Sequence, residues 1–457
     1  MSSSPLKVLF AAFELPPLAS AGIRRPLGFL KHFGEFGVEP SVVTADRDTY
    51  VALGFGPFDE GLAEIFSAIE RVERIPCHSE SCTAESGLIR KVQVYFSLLD
   101  RFGKDWEKSL IPRIDALIQK HRPEAIYATM PPFFMGPLWC RIAARYKLPL
   151  VLDFRDAWSQ WLVQPCRSYL HYSQIVRLER RCLVQADHIV TTSPQTRADL
   201  LKVHGKAFSD KISVVYNGYD REIDPLTSVS MEPRKAKLTI GYVGSFYYFP
   251  EARDAMLTPW WKKPLNRMLQ YTPRVEDWLY RSPYFFFKAL NALLREEPEL
   301  RDAICVRIAG TKPKWIDAQV SEFGLEDLVE FAGHMPHADV LNFQRECDAL
   351  LLTSAKVVGG RDYSIASKTY EYFTLNKPIL AFVTEGAQRD VIEPSGLAVI
   401  CDPDNISDSS RQIRRLIKRE VISEANQEYL SRFHRRETTR ELVGILKRAV
   451  DCSRAHV

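Results

Sequence analysis

The 457-residue sequence lacks any apolar run near the roughly 18 residues that a membrane-crossing helix needs. Its N-terminal candidate, VLFAAF, is broken at Glu14 and followed by Pro16-Pro17, so neither a signal peptide nor a transmembrane helix is expected. The nine cysteines are scattered, odd in number and without a C-x-x-C pair, which argues against a disulfide framework and a zinc site and makes a reducing cytosol the expected compartment. An excess of one charge is missing too. The balance of 61 basic to 57 acidic residues leaves +4, too little to imply a nucleic-acid partner. Convincing metal sets are absent: Asp153 with Asp156 has poor spacing, and Asp402-Pro403-Asp404 reads as a helix cap. His334 and His337 lie near a strand end without further ligands and read as structural histidines.

What is present is a large apolar share, 46%, enough for two or three domains. Short β-branched runs alternate with amphipathic stretches, the pattern of parallel sheets with helices on both faces. Strands are expected at 7–13, 40–45, 125–130, 149–154, 188–193 and 212–218, then at 238–245, 304–311, 328–333, 349–354, 377–382 and 397–402, giving two sheets of six. The polar segment 220–237 reads as the linker between them. The chain is thus α/β, with two doubly wound Rossmann-like domains facing each other across a cleft. These are residues 1–222, residues 223–422 with an insertion at 249–283, and helices at 423–457 that pack back on the first domain. Ligands in such folds bind at the carboxyl ends of the strands.

Several motifs sit at those ends. After the first strand, ELPPLASAGIRRP carries Gly22, which either relieves a tight turn or lets backbone amides approach a phosphate at a helix start. After the fourth predicted strand, DFRDAWSQW places Arg155 and Asp156 as either a structural ion pair or substrate contacts. The insertion interleaves Trp260, Trp261 and Trp278 with Arg253, Lys262, Lys263, Arg267, Arg274 and Arg281. A loop packed on its own domain is its plainer reading, and an anionic lipid surface or lipid-linked phosphate suits the composition. In SIASKTYEYFTLNKPILAF, residues 364–382, a Ser367 cap is expected to start a helix that holds Lys368 and Glu371 on one face.

Taken together, ELPPLASAGIRRP, IYATMPPFFMG, VLDFRDAW, ISVVYNGYD, IGYVGSF, RIAGT, VEFAGHMPHADVL and SKTYEYFTLNKPILAF resemble the family 4 glycosyltransferases of the GT-B fold over almost the full length. The resemblance implies transfer of a sugar from a nucleoside diphosphate sugar to an acceptor. It assigns Glu371 to the nucleotide ribose and Arg281 to the family's diphosphate-binding lysine. It matches Gly22 and Gly244-Ser245 to the loops that approach the diphosphate, with Lys368 adding positive charge. The sequence departs from the pattern at Tyr363, where many members have a glutamate eight before Glu371, and at Arg155, where many have a histidine. The basic pair after the first strand of the second half is interrupted by the insertion, leaving Arg274 as its first member.

The reaction implied is retaining transfer with no obligatory metal and no cofactor beyond the donor. Arg281 would stabilise the departing diphosphate, and Arg155 and Asp156 would orient donor and acceptor. The implied partners are a nucleotide-sugar donor and a glycan or lipid-linked acceptor, with no nucleic acid. The insertion and the basic stretch 88–113 suit a cytoplasmic enzyme in peripheral contact with the inner face of an anionic membrane. Two other readings stay open: a GT-B nucleotide-sugar epimerase, and a non-catalytic GT-B protein that binds a nucleotide sugar.

Overall fold

In the computed structural model the described residues are 4–62, 69, 71–77, 101–160, 165–225, 237–421 and 423–455. The expected stretches at 88–100 and 226–236 therefore lie outside them. The chain divides into two units. The first comprises Met1–Asp220, Lys263–Pro273 and Phe433–Val457; the second comprises Arg221–Lys262 and Arg274–Arg432.

The first unit is built on a parallel sheet of seven strands, not six. They are β1 (Leu6–Ala12), β2 (Val38–Ala45), β3 (Val72–Ile75), β4 (Ala125–Met130), β5 (Leu150–Phe154), β6 (His188–Thr191) and β7 (Ile212–Val214), in the order β3-β2-β1-β4-β5-β6-β7. The strand that pattern reading misses is β3. Its sequence VERI is half charged and only partly buried, as suits an edge, and its register is fixed by Val42 opposite Val72. Alternation along β1 splits the core. Leu9 and Ala11 join the cluster around Trp106 and Trp139 on one face. Val8 and Phe10 join the other, which is closed by Leu442, Val443, Ile445 and Leu446 of the C-terminal helix Arg435–Ala455. Residues 263–273 of the insertion belong to this unit, where Tyr271 forms an antiparallel bridge with Cys166.

The second unit carries a six-stranded parallel sheet. Its strands are β8 (Leu238–Val243), β10 (Ile304–Ala309), β11 (Val329–Gly333), β12 (Ala349–Thr353), β14 (Ile379–Phe382) and β15 (Ala398–Cys401), in the order β11-β10-β8-β12-β14-β15. A separate antiparallel pair joins β9 (Glu276–Asp277) to β13 (Lys356–Val357). One core holds the sheet against the helices Tyr284–Glu296 and Ile406–Ile417, through Phe286, Phe287, Leu290, Ile413 and Leu416. The insertion is more structured than a loop. It forms a helix at Pro250–Leu257, three short turns of 3-10 helix and strand β9.

Candidate functional site

In the second unit, glycine lies at or just past the carboxyl ends of three neighbouring strands. Gly244 follows β8 with φ +108° and donates its amide to Ala309 O at 2.8 Å. Gly310 follows β10 with φ +137° and donates to Gly333 O, the end of β11, at 2.7 Å. A Cβ on Gly310 would stand 2.5 Å from Gly244 O. Only glycine accepts both the backbone angle and that approach. The result is a glycine-lined rim across β8, β10 and β11, with the Gly244 and Gly310 amides paired along it, of which sequence reading singled out only Gly244 and Ser245. The missed signal is the repeat itself: V-G-S, A-G-T and A-G-H, each closing a strand.

Lys368 meets this rim. Its Nζ donates to Val243 O at 3.0 Å, lies 3.6 Å from the centre of the Tyr242 ring and stands beside Gly244. Burial of the ammonium lowers its pKa from the ordinary lysine value to about 7, although the residue as a whole is half-buried. The helix that carries it, Ser367–Phe373, starts differently from expectation. Ala366 occupies the cap position and no side chain caps the helix; Ser367 is already its first residue. Instead, Gln388 Oε1 accepts from Ala366 N at 2.8 Å and from Thr369 Oγ1 at 3.1 Å. Glu371 lies one turn on from Lys368 and is half-buried.

Arg281 is brought to the same end of the sheet. It closes the short turn Trp278–Arg281, and its carbonyl accepts from Thr353 Oγ1 at the end of β12, at 3.0 Å. Its Nη2 donates to Ser364 Oγ at 3.0 Å, and Ser364 in turn donates to Asp362 Oδ1 at 3.1 Å. The Arg281 charge also acts on Tyr242, the ring under Lys368. Asp362 is fully buried, and that burial raises its carboxyl pKa against the opposing pull of Arg281. Next to it, Tyr363 is buried beneath the guanidinium of Arg274, which lies 4.0 Å from the ring centre and is ion-paired to the buried Glu276 at 2.8 Å. So the glutamate position of the family pattern is packed with a ring. The acid of this loop is its neighbour Asp362, which sequence reading missed because nothing local marks a buried partner for Arg281.

In the first unit, Arg155 and Gly22 are adjacent. Arg155 donates to Gly22 O at 2.7 Å, to Met130 O at 3.2 Å and to Pro131 O, so its guanidinium ties the loops after β1 and β4 to the end of β5. A Cβ on Gly22 would lie 2.8 Å from Arg155 Nη1 and 2.7 Å from Glu14 Oε2. Asp153, two residues before Arg155, is wholly buried in a forked pair with Arg25 (2.8 and 3.0 Å) and accepts from Tyr127 at 2.6 Å. Asp156 is half-buried. Among the described residues no group of three or more His, Cys, Asp and Glu side chains could hold a metal ion. No helix there is long and apolar enough to cross a membrane.

No curated protein matches the chain. Among solved structures, Anabaena HepE in complex with UDP is 14% identical, covering 97% of this chain and 100% of its own, with a TM-score of 0.59. Sucrose-phosphate synthase from Thermosynechococcus elongatus is 12% identical over 99% and 98% of the two chains, with a TM-score of 0.56. The lipopolysaccharide outer core galactosyltransferase WaaB, in its apo form, is 14% identical over 96% and 98%, with a TM-score of 0.54. At these identities the likeness speaks to the fold, two Rossmann-like units of the GT-B type. Family membership comes from two matches along the chain. Residues 25–218 match the Glycosyl transferase 4-like domain and residues 284–435 match Glycosyl transferases group 1. The chain belongs to the GT4-like glycosyltransferases of the GT-B fold.

Proposed function

We propose that the protein transfers a sugar from a nucleoside diphosphate sugar to a glycan or lipid-linked acceptor, with retention at the anomeric carbon. The observation that carries this is the gathering of Lys368, Arg281 and the glycine rim at the carboxyl ends of β8, β10 and β12. Two cations beside a glycine-lined rim, where no Cβ blocks close approach, suit a diphosphate. Glu371, one turn from Lys368, suits the ribose, since one carboxylate can accept from two adjacent hydroxyls. The Arg281–Ser364–Asp362 chain holds the guanidinium in one orientation before any ligand arrives.

In the proposed step the bond from the anomeric carbon to the diphosphate oxygen breaks, and its electron pair stays on that oxygen. The acceptor hydroxyl attacks from the face being vacated, and its proton passes to the departing diphosphate. Arg281 and Lys368 neutralise the charge that grows there, so the scheme calls for no metal. We assign Arg155 a positioning role through the carbonyls it binds, and Asp156 to orientation of the acceptor. Peripheral work at an anionic membrane is supported by the exposed Trp260 and Trp261 among Lys262, Lys263 and Arg267. Calorimetry with UDP, GDP and ADP tests the donor assignment. One of them should bind, and Glu371→Ala should weaken it by at least about 1.5–3 kcal/mol, the worth of a charged hydrogen bond; unchanged affinity removes Glu371 from the site.

A further inference from the structure

A cavity of about 340 Å³ in the second unit is lined by none of Lys368, Glu371, Arg281 and the rim glycines, although Leu279, in the turn that Arg281 closes, is among its lining residues. The insertion supplies one wall with Pro250, Arg253 and Leu279, next to Tyr248 just before it, and the helices Tyr284–Glu296 and Ile316–Glu322, with the residue before the second, supply Tyr284, Trp315, Gln319 and Glu322. Trp315 Nε1 donates to Tyr248 O at 3.1 Å, so the indole's one polar atom is satisfied and its faces are what it can offer a ligand. The Tyr248 ring stands 4.9 Å away at 72°, making an aromatic corner. Gln319 is 7% exposed. Its amide nitrogen donates to Ser282 Oγ at 3.4 Å, while Oε1 has no hydrogen-bond partner. A buried acceptor left unpaired costs about 1–3 kcal/mol, and Gln319 is one of the residues lining the cavity, so a donor that reaches its Oε1 from there would relieve that cost.

Charge narrows the choice of ligand. Arg253 is held in a forked pair with Asp277 at 2.6 and 2.8 Å, which neutralises it. Glu322 accepts from Tyr284 at 3.0 Å and leaves the rim with a negative charge. A phosphate would meet a carboxylate here and no uncommitted cation, which disfavours nucleotides and phospholipid heads. What fits is an uncharged ligand with an apolar C–H face for the aromatic corner and hydroxyls to donate to Gln319 and Glu322. That is the description of a pyranose ring, and the volume suits one or two of them. We propose that the cavity is a binding site for a neutral sugar unit of a glycan, separate from the donor residues and walled by the insertion. This does not rest on the donor reading, and its test uses no nucleotide.

Saturation-transfer difference NMR on the full chain provides the test. The probes are the methyl pyranosides of glucose, galactose, mannose and N-acetylglucosamine, together with maltotetraose and chitotetraose. The expected result is transfer to the ring protons of at least one probe. Trp315→Ala should weaken that probe about tenfold or more, equivalent to 1.4 kcal/mol, while Trp315→Phe retains it. Gln319→Met should weaken it too while leaving thermal stability unchanged or raised, because an unpaired buried amide oxygen is removed and only the long 3.4 Å bond to Ser282 is lost with it. A role in packing alone predicts the opposite for stability. Tighter binding of a tetrasaccharide than of its methyl glycoside assigns the site to a chain, and equal binding to a single unit. Transfer to none of the probes, or transfer indifferent to both Trp315→Ala and Gln319→Met, overturns the proposal.

Discussion

Lys368 is the residue whose chemistry is set most plainly by its surroundings. An ammonium at a main-chain carbonyl and over a ring keeps some support for its charge, yet burial brings its pKa down to about 7. A diphosphate beside it favours the charged form, so the pKa in the complex must lie above that in the free protein. Binding above pH 7 then takes up a proton. The sign follows: affinity falls as pH rises from about 7 toward the pKa of the complex, by no more than tenfold per pH unit. Calorimetry at pH 8 in phosphate and in Tris, whose ionisation heats differ, should show a buffer-dependent enthalpy for the bound nucleotide, and Lys368→Met should abolish that dependence. Equal enthalpies in both buffers for the unaltered protein would place Lys368 outside the phosphate site. Folding stability has its own sign. The folded pKa is depressed, so the unfolded chain binds more protons between about pH 7 and the ordinary lysine value, and stability gains with pH across that window.

At the scale of elements, the strands were the legible part. Runs such as AIYATM and ALLLTS are buried on both faces and announce themselves by composition, whereas VERI hides because an edge strand tolerates its two charges. The connections between elements were much less legible. Gln388 takes the place of the expected Ser367 cap from twenty-one residues away, and Asp362 reaches Arg281 only through Ser364, a relation no spacing rule contains. Lys368 and Glu371 could be read because one helix carries both; Arg281 could be placed only by counting along a family pattern across the insertion. The glycine rim sits between these cases, visible as a repeat but not as a contact. Its two glycines at β8 and β10 make a prediction about the loops themselves. Gly310→Ala forces a Cβ against Gly244 O at φ +137° and should cost about 3 kcal/mol in urea unfolding. Gly324→Ala is the control: φ is +60° with nothing within 4 Å, so about 1 kcal/mol is expected. Equal costs for the two would show that the crossing of the loops is not what requires glycine.

For the whole molecule, the question is where a chain with a balance of 61 basic to 57 acidic residues concentrates charge and apolar surface together. Segment 258–270, TPWWKKPLNRMLQ, does both, with three basic residues and no acidic one. Trp260, Trp261, Leu265 and Leu269 are 63%, 66%, 88% and 70% exposed there. Single exposed apolar residues are ordinary, but five within ten residues among cations, Met268 being the fifth, are the composition of an interfacial anchor. Each basic residue near an anionic surface contributes about 1 kcal/mol, lost as salt screens it, while tryptophan settles at the headgroup level by a contribution that salt barely touches. The two parts can therefore be separated. The protein should float with vesicles of phosphatidylglycerol and phosphatidylcholine at low salt and leave vesicles of phosphatidylcholine alone. Replacing Lys262, Lys263 and Arg267 with glutamine should abolish the salt dependence, and replacing Trp260 and Trp261 with serine should weaken binding at every salt concentration. Donor-nucleotide affinity in solution should be unchanged in both variants, since none of the five replaced residues is assigned to donor binding. If the unaltered protein stays at the bottom of the gradient with anionic vesicles at low salt, the segment is not a membrane anchor, and a lipid-linked acceptor loses its structural support.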